Sequence, residues 1–408
     1  MTAPWLTVIG LGEDGIDGLP AAARGILRDA EIVYGGKRHL ELAGALNAET
    51  RPWPSPLDAG LEEIARLRSR PVVVLATGDP MWFGIGATLA RRIPADEIRV
   101  LPAPSAFQLA AARMGWPLAD VETLSLHGRP AERLKLALAP GARILALTVA
   151  DSPRTVAALL TQAGYGESRM VALEHLGGPD ERRVEDIARD WNADVATLHT
   201  LAIDCVAGPD AVVLPRVPGL PDAAFRHDGK MTKREVRALT LARLAPLPDA
   251  LLWDIGAGCG SVAIEWMRAA PRALAIALEP RADRRALMAE NALALGVPDL
   301  DIRKGEAPGA LGSLAAPDAV FIGGGLSQGV FEASFAALKP GGRLVANAVT
   351  LESEAVLLAL HARHGGDLVR LAVSRASAVG SLTGWRPAMP VTQWSLARTR
   401  TQPRNTLS

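Results

Sequence analysis

The sequence predicts an α/β protein built from two different domains, and three observations carry that expectation. Short apolar β-type runs alternate with amphipathic helical stretches along nearly the whole chain. At 408 residues the chain is too long for one ordinary core. The texture breaks once, at Pro215-Arg216-Val217-Pro218-Gly219-Leu220-Pro221-Asp222, where Pro and Gly crowd together and no period survives. The halves on either side share no motif, so they are different domains and not a repeat.

Before the break, strands are expected at Leu6–Ile9, Val72–Ala76, Arg99–Leu101, Glu122–Leu126, Ile144–Val149, Met170–Glu174, Leu201–Val206 and Val212–Leu214. Helices such as Leu57–Arg68 and Thr155–Gln162 fit between them. After the break comes a basic helix, Thr232–Leu244, whose Thr232 as N-cap with Glu235 three residues on makes a capping-box pattern. Further strands are expected at Leu251–Ile255, Ala273–Leu278, Leu300–Arg303, Ala319–Ile322 and Arg343–Asn347. Leu368–Arg375 and Val391–Ala397 read as a closing antiparallel pair. The expected boundaries are therefore a first domain over 1–214, a linker over 215–230 and a second domain over 231–400. The polar end, Arg398 to Ser408, is expected to fray.

Composition excludes several classes of function. Lys plus Arg and Asp plus Glu both number 44, so the neutral chain lacks the broad basic surface that non-specific nucleic-acid binding needs. The two cysteines, Cys205 and Cys259, form no CxxC and suit a reducing cytoplasm. Met1-Thr2-Ala3-Pro4 leads straight into a strand with no basic leader, and no apolar run approaches the ~20 residues of a membrane helix. A cytoplasmic protein acting on a small molecule, without nucleic acid or membrane, is expected.

The strongest chemical signal is Asp254-Ile255-Gly256-Ala257-Gly258-Cys259-Gly260-Ser261, which follows a strand and opens a helix near Val262. Glycines at alternate positions let the backbone turn sharply and approach a ligand where a Cβ would clash. The next strand ends at Glu279, where a carboxylate can accept hydrogen bonds from both hydroxyls of a ribose. The order GxGxG, with Ser at 261, departs from the dinucleotide fingerprint GxGxxG and favours S-adenosylmethionine. Lys304-Gly305-Glu306-Ala307-Pro308, after a later strand, sits where an adenine edge is read.

In the first domain, Gly10-Leu11-Gly12-Glu13-Asp14-Gly15 matches GxGxxG literally but misleads. Gly15 to Pro20 continues as loop, Glu31 precedes its strand, and Glu13 and Asp14 would repel a pyrophosphate. More informative are Thr77-Gly78-Asp79-Pro80-Met81-Trp82, Pro104-Ser105-Ala106 and His127-Gly128-Arg129. Each follows a strand, at the edge where open α/β sheets bind ligands. His361 and His364 read as surface residues, and no metal is expected.

On these residues the first domain resembles the tetrapyrrole methylases, the corrin and sirohaem methyltransferase family. The matching stretches run from Val8-Ile9-Gly10 through Gly78-Asp79-Pro80 to the Ser105 and His127 loops. The second domain resembles the decarboxylating precorrin methyltransferases. There the matches are Gly219-Leu220-Pro221-Asp222, Met231 to Arg237, the Gly256 loop, Gly305 to Pro308, Phe321 to Gly325 and Leu338 to Gly342.

The resemblance implies an N-terminal domain of two α/β lobes around a ligand cleft, followed by a Rossmann-like methyltransferase domain. Each would carry its own S-adenosylmethionine site. The implied reaction turns precorrin-6B into precorrin-8 in cobalamin biosynthesis. Meso carbons 5 and 15 are methylated and the ring C acetate is decarboxylated. Two alternatives are the same chemistry on a cobalt-containing precorrin, or an N-terminal module that only binds the macrocycle.

Implied cofactor contacts are Thr77, Gly78, Asp79, Trp82, Ser105 and Ala106 in the first domain. In the second they are Thr232, Gly256, Ala257, Gly258, Cys259, Gly260, Glu279, Glu306 and Ala307. Implied substrate contacts are Gly10, His127, Arg129, Lys233 and Gly323. Related methylases read Gly-x-Gly-Pro-Gly where this chain has Gly10 to Gly15. The resemblance also implies a homo-oligomer that hands its product to the next enzyme.

An electron-rich meso carbon attacks a sulfonium methyl without a metal or a covalent intermediate, so proximity, orientation and a dry cleft suffice. A substrate with many carboxylates needs cations. Lys230, Lys233, Arg234 and Arg237 are candidates beside the second domain, and Arg129 in the first.

Overall fold

The computed structural model describes residues 4–68 and 70–399. The leader region Met1 to Ala3, and the tail from Arg400 that closes the expected second domain, lie outside the described residues. Two compact units divide the chain between Val212 and Val213, and the short segment Glu132–Leu136 belongs with the second.

The first unit carries two five-stranded sheets. In the first sheet, β1 (Leu6–Leu11), β2 (Ile32–Gly35), β3 (Glu49–Pro52), β4 (Val72–Thr77) and β5 (Ile98–Leu101) take the order β3-β2-β4-β1-β5. All its pairings are parallel. The central strands are near-continuous apolar runs because both faces are covered. Leu6, Val8, Val72 and Val74 pack with Leu61 and Ile64 of helix Leu57–Arg66. Ile9, Leu11, Val73 and Leu75 pack with Ala23 and Leu27 of helix Ala21–Arg28.

The second sheet comprises β6 (Glu122–Ser125), β7 (Arg143–Leu147), β8 (Arg169–Glu174), β9 (Arg182–Ile187) and β10 (His199–Asp204), in the order β6-β7-β10-β8-β9. Only β6 and β7 pair in parallel. Phe107, Ala110 and Ala111 of helix Ala106–Met114 cover Leu145, Val171 and Ala202.

The second unit holds a seven-stranded sheet. Its strands are β11 (Leu251–Ile255), β12 (Leu274–Leu278), β13 (Asp301–Arg303), β14 (Ala319–Ile322), β15 (Arg343–Ala348), β16 (Asp367–Leu371) and β19 (Val391–Ala397). Their order is β13-β12-β11-β14-β15-β19-β16, with β19 antiparallel to both neighbours. The order reverses beside β11, which puts a ligand crevice at its carboxyl end. Between β16 and β19 a separate hairpin, β17 (Ser374–Val379) with β18 (Leu382–Pro387), leaves Leu382 and Trp385 exposed.

The architecture is the expected one, and several local readings are corrected. Val212–Leu214 is no strand, because its valines stay exposed and Pro215 follows at once. The stretch 215–230 is packed and not a bare linker, since Leu220 and Phe225 sit in the core of the second unit. Leu368–Arg375 is two strands, broken after Leu371. Gly15–Gly18 is a short 3-10 turn, although the helix proper starts only at Ala21. Arg398 does not fray, because its amide bonds to Gly342 O at 2.9 Å and its guanidinium to Ala336 O at 2.8 Å.

Thr232 is not an N-cap. The helix begins at Arg234, after Lys233, with no side-chain cap from the preceding residue. Asp222 Oδ1 instead accepts the Arg234 amide at 3.0 Å, and Glu235 pairs with Arg375, so no capping box forms.

Candidate functional site

In the first unit, loops at the carboxyl ends of β1 and β4 line a cleft of about 690 Å3, a size suited to a small molecule. The facing wall comes from the second sheet through Ser125, Leu147, Leu173 and Thr200. Gly78 makes the junction possible. It holds φ +54°, and a Cβ there would lie 2.9 Å from Pro104 O and 3.0 Å from Ser105 Cα. Asp79 Oδ1 accepts the Met81 amide at 2.8 Å, which fixes the turn. Trp82 packs against Phe107 with ring centroids 5.5 Å apart.

Thr77, Gly78, Asp79, Trp82, Ser105, Ala106, His127 and Arg129 all line this cleft. The Ser105 hydroxyl is already engaged, accepting the Gln108 amide at 3.2 Å while Gln108 Oε1 accepts the Ser105 amide at 2.7 Å. Arg129 stacks over the Phe83 ring at 5.8 Å. Gly10, expected to touch substrate, is not on the cleft wall. It is buried behind it, where a Cβ would lie 1.9 Å from Gly78 O, so its lack of a side chain serves strand packing.

Several cleft residues escaped the sequence reading. Glu13 forms an ion pair with Arg38 and lies 3.0 Å from His175 Nδ1. Arg38 Nη2 and His39 Nε2 both reach Thr77 Oγ1, at 3.1 and 2.8 Å. Because His39 Nδ1 accepts the Gly36 amide at 3.2 Å, its Nε2 carries the proton and donates. Burial, with help from the Arg38 charge, pushes the His39 ring down to about 4, so it stays neutral. His199 donates Nδ1–H to Ala196 O at 2.7 Å and accepts from Thr148 at 2.5 Å, and burial lowers its pKa. Four of the seven histidines in the chain line this one cleft. The available signal was position: Arg38-His39 follows β2 and His175 follows β8, so both sit at strand ends.

In the second unit the glycine loop leaves β11 at the point where strand order reverses. Gly256, Gly258 and Gly260 have φ of +69°, +59° and +80°. The Gly256 and Ala257 amides each donate to Leu278 O at 3.1 Å. Glu279 is buried, with Oε2 accepting the Gly258 amide at 2.9 Å and Oε1 the Arg281 amide at 3.0 Å. Each oxygen keeps acceptor capacity for a ribose.

Above Gly258 a Cβ would meet only Lys230 O, at 3.5 Å, so the loop leaves a hollow that a ligand can fill. The residues present thus fit an adenosyl cofactor. Gly323 joins the site through its amide, which donates to Ile255 O at 3.0 Å. Glu306 and Ala307 follow β13, whose end is tied to Glu279 by the Glu279 amide and Arg303 O at 3.2 Å.

Cys259 is buried, its carbonyl accepts Asn291 Nδ2 at 3.0 Å, and burial pushes its thiol up, away from nucleophilic chemistry. Asp254 Oδ2 accepts the Ala263 amide at 3.0 Å, whereas Oδ1 is buried without a partner, and burial raises this carboxyl to about 7. Lys233 stands just before the helix and Thr232 offers its carbonyl to Arg237 at 2.6 Å. Arg237 is no substrate cation, because it is fully buried and spent on Glu265 at 2.6 Å. Arg234 donates to Gly219 O at 2.7 Å.

Residues 6–190 match the family of tetrapyrrole (corrin/porphyrin) methylases, and residues 223–398 match the precorrin methyltransferase domain. A protein of Sinorhizobium sp., precorrin-6Y C(5,15)-methyltransferase [decarboxylating], is 53% identical over 399 residues, with 97% of each chain covered. This chain belongs to that family. A protein of Mycobacterium tuberculosis with the same description is 42% identical over 401 residues, 96% of this chain and 100% of the relative. The solved C-terminal domain of precorrin-6Y C5,15-methyltransferase from Rhodobacter capsulatus is 50% identical, covers 45% of this chain and 100% of that one, and has a TM-score of 0.43. Among the described residues, no helix is long and apolar enough to cross a membrane.

Proposed function

We propose that the chain methylates precorrin-6B, which the relatives' names write as precorrin-6Y, at meso carbons 5 and 15. It also removes the ring C acetate carboxyl as carbon dioxide, giving precorrin-8 on the route to cobalamin. The second unit acts at carbon 15 with decarboxylation and the first at carbon 5. The observation that carries this reading is the presence of two unlike ligand sites in one chain: the Gly256 loop with Glu279, and the cleft behind Gly78.

S-adenosylmethionine, bound once per unit, supplies an electrophilic methyl group and a neutral leaving group. The work of the protein is to hold it. Glu279, pinned by two backbone amides, presents a fixed carboxylate to ribose hydroxyls. In the first unit the Gly78 turn and the Ser105–Ala106 helix start form the cofactor wall, while His127 and Arg129 face the substrate's carboxylates. Two free, buried cysteines suit a cytoplasmic setting.

The test is to incubate the pure full chain with precorrin-6B and S-adenosylmethionine and follow product mass. Two added methyl groups with loss of carbon dioxide is the expected result. One methyl with carbon dioxide loss would reduce the first unit to a binding role. No reaction, with the cofactor still bound, would remove the substrate assignment.

A further inference from the structure

Methyl transfer to carbon leaves the macrocycle with one proton to lose, and the first unit holds a pair suited to take it. Among its described residues, two non-glycine positions have positive φ, Phe83 at +57° and His175 at +47°. Both line the cleft. Such backbone persists only where the surroundings over-determine it, and it gathers at functional sites.

At His175 the surroundings are explicit. Its amide donates to Leu198 O at 3.2 Å and its carbonyl accepts the Gly178 amide at 2.9 Å. Gly178 lies so close to Glu13 that an added Cβ would sit 2.7 Å from Glu13 Cβ. The outcome is a ring whose Nδ1 is 3.0 Å from Glu13 Oε2. Glu13 is held in turn by Arg38, and Arg38 by Thr77 at 3.1 Å.

A carboxylate on Nδ1 keeps the proton on that nitrogen, leaves a lone pair on Nε2, and stabilises the ring once it is protonated. The His175 side chain retains 32% exposure, so the ring is reachable from the cleft. Of the other histidines on the cleft, His127 forms no ion pair with a carboxylate among the described residues, and the rest are committed. His39 and His199 use both ring nitrogens. Glu174, on the same strand, binds Arg182 and the Ala196 amide. Glu181 binds Arg113 and the Gly177 amide.

We infer that His175 is the proton acceptor for methylation in the first unit, with Glu13 as its positioning residue. The inference rests on the reading of this cleft as the carbon 5 site. The methyl–sulfur bond breaks with its electron pair going to sulfur, and a carbon–carbon bond forms from the π pair at the meso carbon. The C–H bond at that carbon then breaks, its pair restores conjugation, and the proton passes to His175 Nε2 and on to water.

The experiment uses the full chain with precorrin-6B and S-adenosylmethionine, comparing wild type with His175→Asn and Glu13→Gln. Asn tolerates positive φ, so the backbone survives while the base is lost. The first methylation with carbon dioxide loss, in the other unit, is the internal control and stays at the wild-type rate. The second methyl is expected to arrive roughly 10²–10⁴-fold more slowly in His175→Asn, the usual worth of a general base. KM and calorimetric cofactor binding stay unchanged, and added imidazole restores part of the rate. Glu13→Gln gives a smaller loss, confined to the second methyl, with KM and cofactor binding unchanged.

A wild-type rate and pH profile in His175→Asn, or a loss that tracks weakened cofactor binding, overturns the inference alone. A wild-type chain that never adds the second methyl overturns the reading of the cleft and this inference with it.

Discussion

Arg237 Nε donates to Glu265 Oε1 at 2.6 Å, with side-chain exposures of 0% and 2%. Glu265 also accepts the amides of Gly219 and Leu220, at 2.6 and 3.0 Å. The pair therefore fastens the entry segment of the second unit to helix Ser261–Ala269. Arg237→Met strands a buried carboxylate and should lower stability by about 3–5 kcal/mol. Urea unfolding followed by tryptophan fluorescence checks this, and adding Glu265→Gln should recover part of the loss. An unchanged midpoint in the single variant would contradict the account.

On the reading proposed above, of one cofactor site per unit, the two glycine turns should separate those sites. Gly256→Ala forces a Cβ to 2.9 Å from Gly324 O at φ +69°, and Gly78→Ala forces one to 2.9 Å from Pro104 O at φ +54°. Strain of about 1–3 kcal/mol at either turn costs roughly 5- to 150-fold in affinity. Calorimetric titration with S-adenosylmethionine should fall from two high-affinity sites per chain to one in each variant, and product analysis should show loss of a different methyl group.

The buried carboxyl of Asp254 predicts a pH signature. Its folded pKa is raised from 3.8 to about 7, so the folded state holds a proton that the unfolded chain has lost. Stability from this group is full below about pH 4 and declines as pH rises to 7, by at most about 1.4 kcal/mol per pH unit. Asp254→Asn removes the titration. The Tm advantage of the variant should therefore grow between pH 5 and pH 7 and level off above. A pH-independent difference would refute the assignment.

Ser105 should prove structural in its side chain. Its hydroxyl caps helix Ala106–Met114, so Ser105→Ala should cost about 0.5–2 kcal/mol of stability in the first unit. Cofactor affinity in that unit should hold, because the hydroxyl faces the helix amides. Thermal melts and calorimetry on one preparation distinguish the two effects.

How much was legible follows from how far each feature reaches along the chain. The Gly256 loop is local, so its spacing pointed to a ligand, whereas the Gly78 turn was marked by its place after a strand and by the family resemblance. Thr232 and Arg237 were misread because their decisive partners are distant: Asp222 lies 12 residues before the helix amide it caps, and Glu265 lies 28 residues beyond Arg237. Glu13 and His175 are 162 positions apart, and no spacing rule joins them. Gly10 carried a motif whose glycine is explained by its close approach to the neighbouring Gly78 strand end. Strand β9 was missed because Arg182-Arg183-Val184-Glu185-Asp186-Ile187 has no apolar alternation to announce it.

The composition that hid β9 also governs how the chain behaves when crowded. This strand is the last in its sheet, with β8 on one side and its other ladder of amides and carbonyls unpaired by the sheet. Its arginines and acids are mostly exposed and cross-linked, Arg183 to Glu185 at 2.8 Å and Arg182 to Glu174 at 2.6 Å. A foreign strand laid along that rim would have to bury or displace those charges. The open edge therefore resists runaway strand addition, and replacing Arg183 and Glu185 with valine would turn it into a nucleus for aggregation.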